Sequence, residues 1–325
     1  MALGRIVAMG GGTGLPAVLE ALKPACGAGS GACDLSAIVT VTDDGGSSGR
    51  LRREMGVLPP GDIRNCLVAL SEAPEILREL FQYRFTQGGL EGHALGNLLI
   101  VALAEVTGDF AEGVRRLHDI LAIRGRILPS TLESVQLLAE RLDGSVVLGE
   151  KALPSPGVGI RRLTLQPPGC RALPDALAVL KTADLILLGP GSLYTSVLPN
   201  LLVPEIGQAL RDAPGSKVYV CNLTTQPGET EGYTASDHVR VLYSHVGPWV
   251  CDTVLCNDAP LPDDVAATYA DQGQVPVEVD RPALQALGCR VESADLLAEG
   301  PFARHDPDKL RSALIRLTGE PQEAP

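Results

Sequence analysis

The chain has 325 residues, 45% of them hydrophobic but only 3% aromatic, with a formal net charge of −12. That length allows one large domain or two small ones around a substantial core, and an interior short of aromatic rings must be built from Leu, Val, Ile and Ala, as in buried parallel sheets. The acidic balance excludes a general nucleic-acid binder, and no apolar run is long enough to cross a bilayer, so a cytoplasmic protein is expected.

In chain order, Ile6-Val7-Ala8-Met9 reads as a parallel strand covered on both faces, and Gly10-Gly11-Gly12-Thr13-Gly14 then opens a helix predicted from Leu15 to Leu22. Glycines there let the backbone take positive φ and approach a ligand. The helix points its unpaired N–H groups and positive dipole end at the same spot. The turn is therefore read as a phosphate cradle, although it lacks the Lys-Ser/Thr of a P-loop and the full G-x-G-x-x-G spacing. A tight structural turn is the plainer alternative. Its place at the first strand-to-helix crossing favours the cradle, because open parallel sheets bind ligands at the carboxyl ends of their strands.

After a small-residue loop, Gly27 to Gly31, a second strand is predicted from Ser36 to Val41. It delivers Thr42-Asp43-Asp44-Gly45-Gly46-Ser47-Ser48-Gly49-Arg50-Leu51-Arg52, the chain's densest polar stretch. Two carboxylates are followed by backbone and hydroxyl donors and then by the fork of Arg50, suited to phosphate or carboxylate. One acid can ligate Mg²⁺ while the other orients a hydroxyl. On composition alone the stretch is also an Asp-Gly turn with solvated serines.

Pro59-Pro60-Gly61-Asp62-Ile63-Arg64-Asn65 reads as a rigid turn into a helix, with Asp62 as its cap. Helices follow from Pro74 to Tyr83, from Leu95 to Glu105 and from Phe110 to Leu121, with His93 and Asn97 at the start of the second. His93 is the weaker candidate, since a lone His is more often structural. Val135–Leu142 and Ser145–Gly149, joined by Asp143-Gly144, predict a hairpin with a type I′ turn. Residues 57–168 thus form a helical and hairpin excursion from the βα alternation, a candidate lid or homodimer surface.

The alternation resumes with a helix from Pro174 to Thr182 and a strand from Leu185 to Leu188, ending in Gly189-Pro190-Gly191-Ser192-Leu193-Tyr194-Thr195-Ser196. This second glycine turn offers an anion the same backbone donors and dipole. Strand Lys217–Cys221 delivers Asn222-Leu223-Thr224-Thr225-Gln226, a loop of amides and hydroxyls able to read a base or sugar edge. A helix from Ser236 to His245 carries His238 and His245, read as surface residues because two turns separate them, too far for the usual pair of metal ligands. Strand Thr253–Cys256, a short strand near Val275–Val279, a helix after Pro282 and a closing helix Pro307–Leu317, capped by Asp306, complete the chain. The eight cysteines include no C-x-x-C pair and are expected to be reduced.

The blocks Gly-Gly-Gly-Thr-Gly-Leu, Thr-Asp-Asp-Gly-Gly-Ser-Ser-Gly-Arg-Leu-Arg, Pro-Pro-Gly-Asp-Ile-Arg-Asn, Gly-His-Ala-Leu-Gly-Asn-Leu, Gly-Pro-Gly-Ser-Leu-Tyr-Thr-Ser and Thr-Gln-Pro-Gly-Glu-Thr, in this order, make a chain that resembles the YvcK family, the gluconeogenesis factors. The resemblance runs from Ile6 to the Arg304 region. It implies a place in the CofD-like superfamily, whose founding enzyme is a 2-phospho-L-lactate transferase with a guanylyl-linked substrate, a deazaflavin acceptor and Mg²⁺. It also implies a bacterial cytosolic factor needed for cell shape and wall synthesis on gluconeogenic carbon, one that binds UDP-sugars such as UDP-N-acetylglucosamine. With only 4 Phe and one Trp to wall a deazaflavin pocket, a UDP-sugar-binding regulator that requires no cofactor is expected ahead of an Mg²⁺-dependent transferase. A scaffold with a vestigial site is the third reading.

The expected fold is α/β, a Rossmann-like three-layer α/β/α sandwich around a mainly parallel sheet, forming one domain with the excursion packed on it. The diphosphate is expected on Gly11, Gly12, Thr13 and Gly14 and on Gly189, Gly191 and Ser192, with Asn222, Thr224 and Gln226 near the base or ribose. Asp43 and Asp44 should face the distal sugar or Mg²⁺, and Gly45, Gly46, Ser47, Arg50, Asn65 and Asn97 are expected to bind the ligand as well. Gly12→Val is expected to lower binding while changing folding little. No Lys or Arg lies between Met9 and Glu20, so a cation from elsewhere is needed at the diphosphate. Arg304 is chosen because the resemblance implies a UDP-sugar contact there.

Overall fold

Seven strands form one wholly parallel sheet: β1 (Gly4–Gly10), β2 (Cys33–Val39), β3 (Arg126–Pro129), β7 (Leu185–Leu188), β8 (Ser216–Val220), β9 (Thr253–Asn257) and β10 (Arg290–Ala294), in the spatial order β10-β9-β8-β7-β1-β2-β3. A computed structural model describes residues 4–26 and 33–319; the loop expected at Gly27–Gly31 lies outside them. β1 is central, with Ile6 opposite Leu35 of β2 on one side and Leu185 of β7 on the other. Ile6, Ala8 and Met9 are fully buried, as are Ile186, Leu187 and Leu188, because strands covered by helices on both faces must be apolar on both. The helix Gly14–Leu22 turns Leu15, Val18, Leu19 and Leu22 into the core and packs against the helices Gly61–Leu70 and Pro307–Gly319. Elsewhere Pro174–Thr182 packs against Pro204–Asp212. The chain winds from β1 to β2 and β3, then returns to place β7 on the other side of β1. The crevice of such a sheet opens at the carboxyl ends where this order reverses, between β1 and β7.

A separate antiparallel sheet has the order β5-β4-β6, with β4 at Gln136–Arg141, β5 at Val146–Leu148 and β6 at Ile160–Gln166. β3 falls inside the expected excursion and joins the main sheet, so the helices after residue 57 precede it and the small sheet follows it. The hairpin forms, but its turn is not type I′. Gly144 alone takes positive φ, at 84°, and its N–H donates to Arg141 O at 3.0 Å, whereas type I′ needs both central residues there.

Other expectations are corrected. Val275–Val279 is not a strand: Pro276 brings no N–H, and the segment makes an isolated bridge to Thr224. The strand in this region is β10, whose alternation of Arg290 and Glu292 with smaller residues hid it. The cysteines are not all reduced, because Cys26, after the first helix, and Cys33, opening β2, meet in a disulfide with Cα atoms 4.5 Å apart. Nor are the two histidines surface residues. His238 is fully buried, and half-buried His245 accepts Leu163 N–H through Nε2 at 3.0 Å, docking β6 onto the helix Ala235–Val246. Asp306 does cap the closing helix, its Oδ1 accepting from the N–H groups of Asp308 and Lys309. Among the described residues no helix is long and apolar enough to cross a membrane.

Candidate functional site

Both glycine turns leave the carboxyl ends of adjacent strands and touch. A Cβ on Gly14 would lie 2.2 Å from Pro190 O and 2.9 Å from Gly191 N, so no larger residue fits between them. Gly12 takes φ +60°, and its carbonyl accepts a hydrogen bond from Asn65 Nδ2 at 3.3 Å. In the second turn Asn222 Oδ1 accepts Gly191 N–H at 3.0 Å, and Ser192 caps the π-helical turn Leu193–Val197 by accepting Thr195 N–H at 3.1 Å.

The turns border a cavity of about 890 Å³. Of the expected ligand residues, Gly12, Thr13, Gly14, Asn65, Gly191 and Ser192 line it, together with Asn222, Thr224, Gln226 and Arg304. Arg304, exposed at the mouth, stacks its guanidinium over Phe302, 5.1 Å from the ring centre. Gly11 and Gly189 lie behind this wall; a Cβ on Gly11 would meet Asp62 Oδ2 at 2.5 Å.

The structure does not bring the Asp-Asp stretch to the cavity wall, and its two carboxylates separate. Asp43 Oδ1 accepts Gly45 N–H at 2.7 Å and stays beside Gly61. Asp44 Oδ1 accepts Lys151 N–H at 3.1 Å, while its Oδ2 lies against Gly149, so Asp44 ties down the end of the hairpin. Gly45 and Gly46 start the helix Gly46–Met55. Ser47 and Asn97 are buried, and Arg50 NH1 donates to Glu91 O at 2.5 Å. These residues reach the cavity indirectly. His93 Nδ1 meets Ser47 Oγ at 2.9 Å, Asn97 Nδ2 donates to Ser47 Oγ at 3.0 Å, and Arg64 donates to Asn97 Oδ1 at 3.2 Å and Asn65 Oδ1 at 2.8 Å. With Asn65 on Gly12 O, an unbroken chain of hydrogen bonds joins the second loop to the first cradle.

Three acids missing from the expected set shape the site. Asp62 is no cap: the helix Gly61–Leu70 has no side-chain cap, and the carboxylate accepts Gly12 N–H from beneath the turn. Desolvation pushes it up to about 6, against the pull of that N–H. Glu150, supplied to the cavity wall by the hairpin's end, is pushed up to about 9, first by desolvation and then by the charges of Asp43, Asp62, Asp44 and Glu229, and so is neutral at pH 7. Glu229 is buried, accepts the Ser192 hydroxyl proton and is raised by desolvation. Glu229 stood in the Gly-Glu-Thr part of a motif, whereas nothing local to Glu150 marks it. His305 also lines the cavity, held neutral by desolvation with its pKa lowered to about 4. Among the described residues no group of three or more His, Cys, Asp or Glu is arranged to hold a metal ion. The two acids expected to hold Mg²⁺ are not brought together, because Asp43 folds back on Gly45 N–H, Asp44 is spent on the hairpin and neither lines the cavity.

A seven-stranded parallel sheet with two glycine turns meeting at its switch point defines a three-layer α/β protein of the doubly wound kind. The chain belongs to the 2-phospho-L-lactate transferase CofD family, whose model matches residues 6–297. Within it the chain is similar to the proteins named gluconeogenesis factor of Halalkalibacterium halodurans, 46% identical over 98% of this chain and 97% of that one, and of Bacillus subtilis, 46% identical over 97% and 98%. A crystal structure of a UPF0052 family member from Bacillus halodurans superposes with a TM-score of 0.92 at 45% identity, covering 97% of this chain and 99% of that one. The YvcK resemblance and the three-layer fold are thereby shown.

Proposed function

We propose that the protein is a cytosolic UDP-sugar-binding regulator of the gluconeogenesis-factor type, acting on cell shape and wall synthesis during gluconeogenic growth. The observation that carries this reading is the contact of the two glycine turns at Gly14 and Pro190, which brings both turns, each opening a helical segment, to one cavity. That cavity, at about 890 Å³, has room for a nucleotide sugar. The diphosphate rests on Gly12 to Gly14 and Gly191-Ser192, and Arg304 supplies the cation that the first cradle lacks. Neutral Glu150 lets its part of the wall accept an anion or a sugar hydroxyl. The family match favours a second reading, a transferase of the 2-phospho-L-lactate transferase type acting on a nucleotide-linked substrate.

Calorimetry with UDP-N-acetylglucosamine tests the first reading. Arg304→Ala should bind roughly tenfold or more weakly while the unliganded protein melts at nearly the wild-type temperature. Equal affinity at the same salt would show that this arginine belongs to the surface.

A further inference from the structure

The hairpin leaves one strand of the small sheet without an outer neighbour: β5 stands at the edge of the order β5-β4-β6. We propose that β5 pairs antiparallel with β5 of a second copy of this chain, joining two small sheets into one across a two-fold axis at Val147.

The register of the hairpin decides which backbone groups face outward. Gly149 N–H donates to Leu137 O at 2.7 Å and Arg141 N–H to Ser145 O at 2.9 Å. Ser145, Val147 and Gly149 therefore turn toward β4, and the alternate residues Val146 and Leu148 turn their N–H and C=O groups to the open side. Other edges are covered. His245 Nε2 takes Leu163 N–H of β6 at 3.0 Å, and Arg281 NH1 donates to Val291 O of β10 at 3.2 Å. Among the described residues no side chain bonds the outward groups of Val146 or Leu148. An open edge is ordinarily blunted by charge or proline, yet Val146-Val147-Leu148 carries neither, and Val146 is 61% and Leu148 50% exposed.

The occupant follows from self-complementarity. A two-fold at Val147 sets Val146 against the partner's Leu148 and Leu148 against the partner's Val146, so each pair exchanges two N–H···O bonds and the apolar side chains meet on one face. Glu140, opposite Val146 on β4, is already paired with Arg161 at 3.5 Å. The same axis brings exposed Asp143, in the turn, beside the partner's exposed Lys151, so that opposite charges meet twice. An edge that matches itself in hydrogen bonds, apolar surface and charge fits an isologous contact between two copies. The paired strand runs directly into Gly149 and Glu150, so the contact also steadies the segment that supplies Glu150 to the cavity wall.

Two strands of this length make a small interface, so the dimer should be weak. Sedimentation velocity over a range of concentrations should show a mass rising from 34.0 kDa toward twice that value, with a micromolar dissociation constant. Val146→Pro removes an outward N–H without touching the bonds to β4, and Leu148→Arg places a charge in the seam of each copy. In variants that melt like wild type, each should weaken the dimer by about tenfold or more. Lys151→Glu should weaken it by roughly threefold or more, and Asp143→Lys in the same chain should restore it. A monomer at every concentration overturns the proposal and leaves the edge to an extended segment of another protein. A dimer that both Val146→Pro and Leu148→Arg leave intact overturns it too, as does a Lys151→Glu loss that Asp143→Lys leaves uncorrected.

Discussion

The two glycine turns have similar sequences and opposite supports. The first, Gly10 to Gly14, has no side chain of its own to fix it and is braced from outside: Asn200 Nδ2 donates to Gly10 O at 3.0 Å, Asn65 Nδ2 to Gly12 O at 3.3 Å, and Asp62 accepts Gly12 N–H. The second fixes itself through the Ser192 cap and through loops that follow β8, which supply Asn222 and Glu229. Two turns that touch are thus governed by different parts of the chain. The helix Gly61–Leu70 controls the first and the β8 exit loop the second, so substitutions can separate their contributions.

The largest effect is expected where the turns meet. Gly14→Val forces a Cβ to within 2.2 Å of Pro190 O. Backbone on both sides cannot yield as a flexible side chain would, so the loss should be about 3 kcal/mol in urea unfolding, with binding abolished. A loss below about 1 kcal/mol would show that the turns are not in fixed contact.

Next in size is the brace of the first turn. Asp62 is raised from 3.8 to about 6 in the folded chain. Its neutral form is therefore favoured, and the stability tied to it is full below pH 4 and lost as pH rises through 6. Asp62→Asn keeps an acceptor for Gly12 N–H and cannot ionise. Stability measured between pH 4 and 7 should fall by on the order of 2 kcal/mol in wild type from this group, and the fall should flatten in the variant. Parallel curves would place the titration elsewhere.

Gly12 follows. At φ +60° an L side chain costs about 1–2 kcal/mol, so the sequence-based expectation that Gly12→Val leaves folding little changed is revised. Gly12→Ala should show that cost in unfolding and a fall in UDP-sugar affinity in calorimetry. Wild-type stability would mean the turn relaxes out of the left-handed region.

What the sequence made legible follows from locality. Both glycine turns were readable because an apolar run, a glycine cluster and a helix start are contiguous, as in Met9 to Leu15 and Leu188 to Leu193. The parallel sheet followed from the same runs. β3 and β10 escaped because edge strands of four and five residues carry exposed charges and no long apolar signal. Asp62 was visible, but its role was not, since a carboxylate at a helix start reads as a cap until tertiary structure places Gly12 above it. Asp44 and Glu150 illustrate the converse: 106 positions apart in the chain, they become neighbours because the hairpin folds back onto the second loop. No periodicity encodes such a meeting.

The smallest effect should come from the second turn, and its pH dependence distinguishes cap from charge. Ser192→Ala removes the acceptor for Thr195 N–H, a loss of about 1 kcal/mol for a helix cap. It also removes the hydroxyl that donates to Glu229, whose carboxyl is already raised by desolvation. Without that donor the Glu229 pKa rises further, and ionising it costs more. A carboxyl raised in the folded state loses stability as pH increases, so the deficit of Ser192→Ala should grow between pH 5 and pH 8. Ser192→Thr, which keeps the hydroxyl, should remove most of it. A deficit equal at both pH values in urea unfolding would show that Ser192 acts as a cap alone and that Glu229 is braced by the Tyr194 backbone N–H.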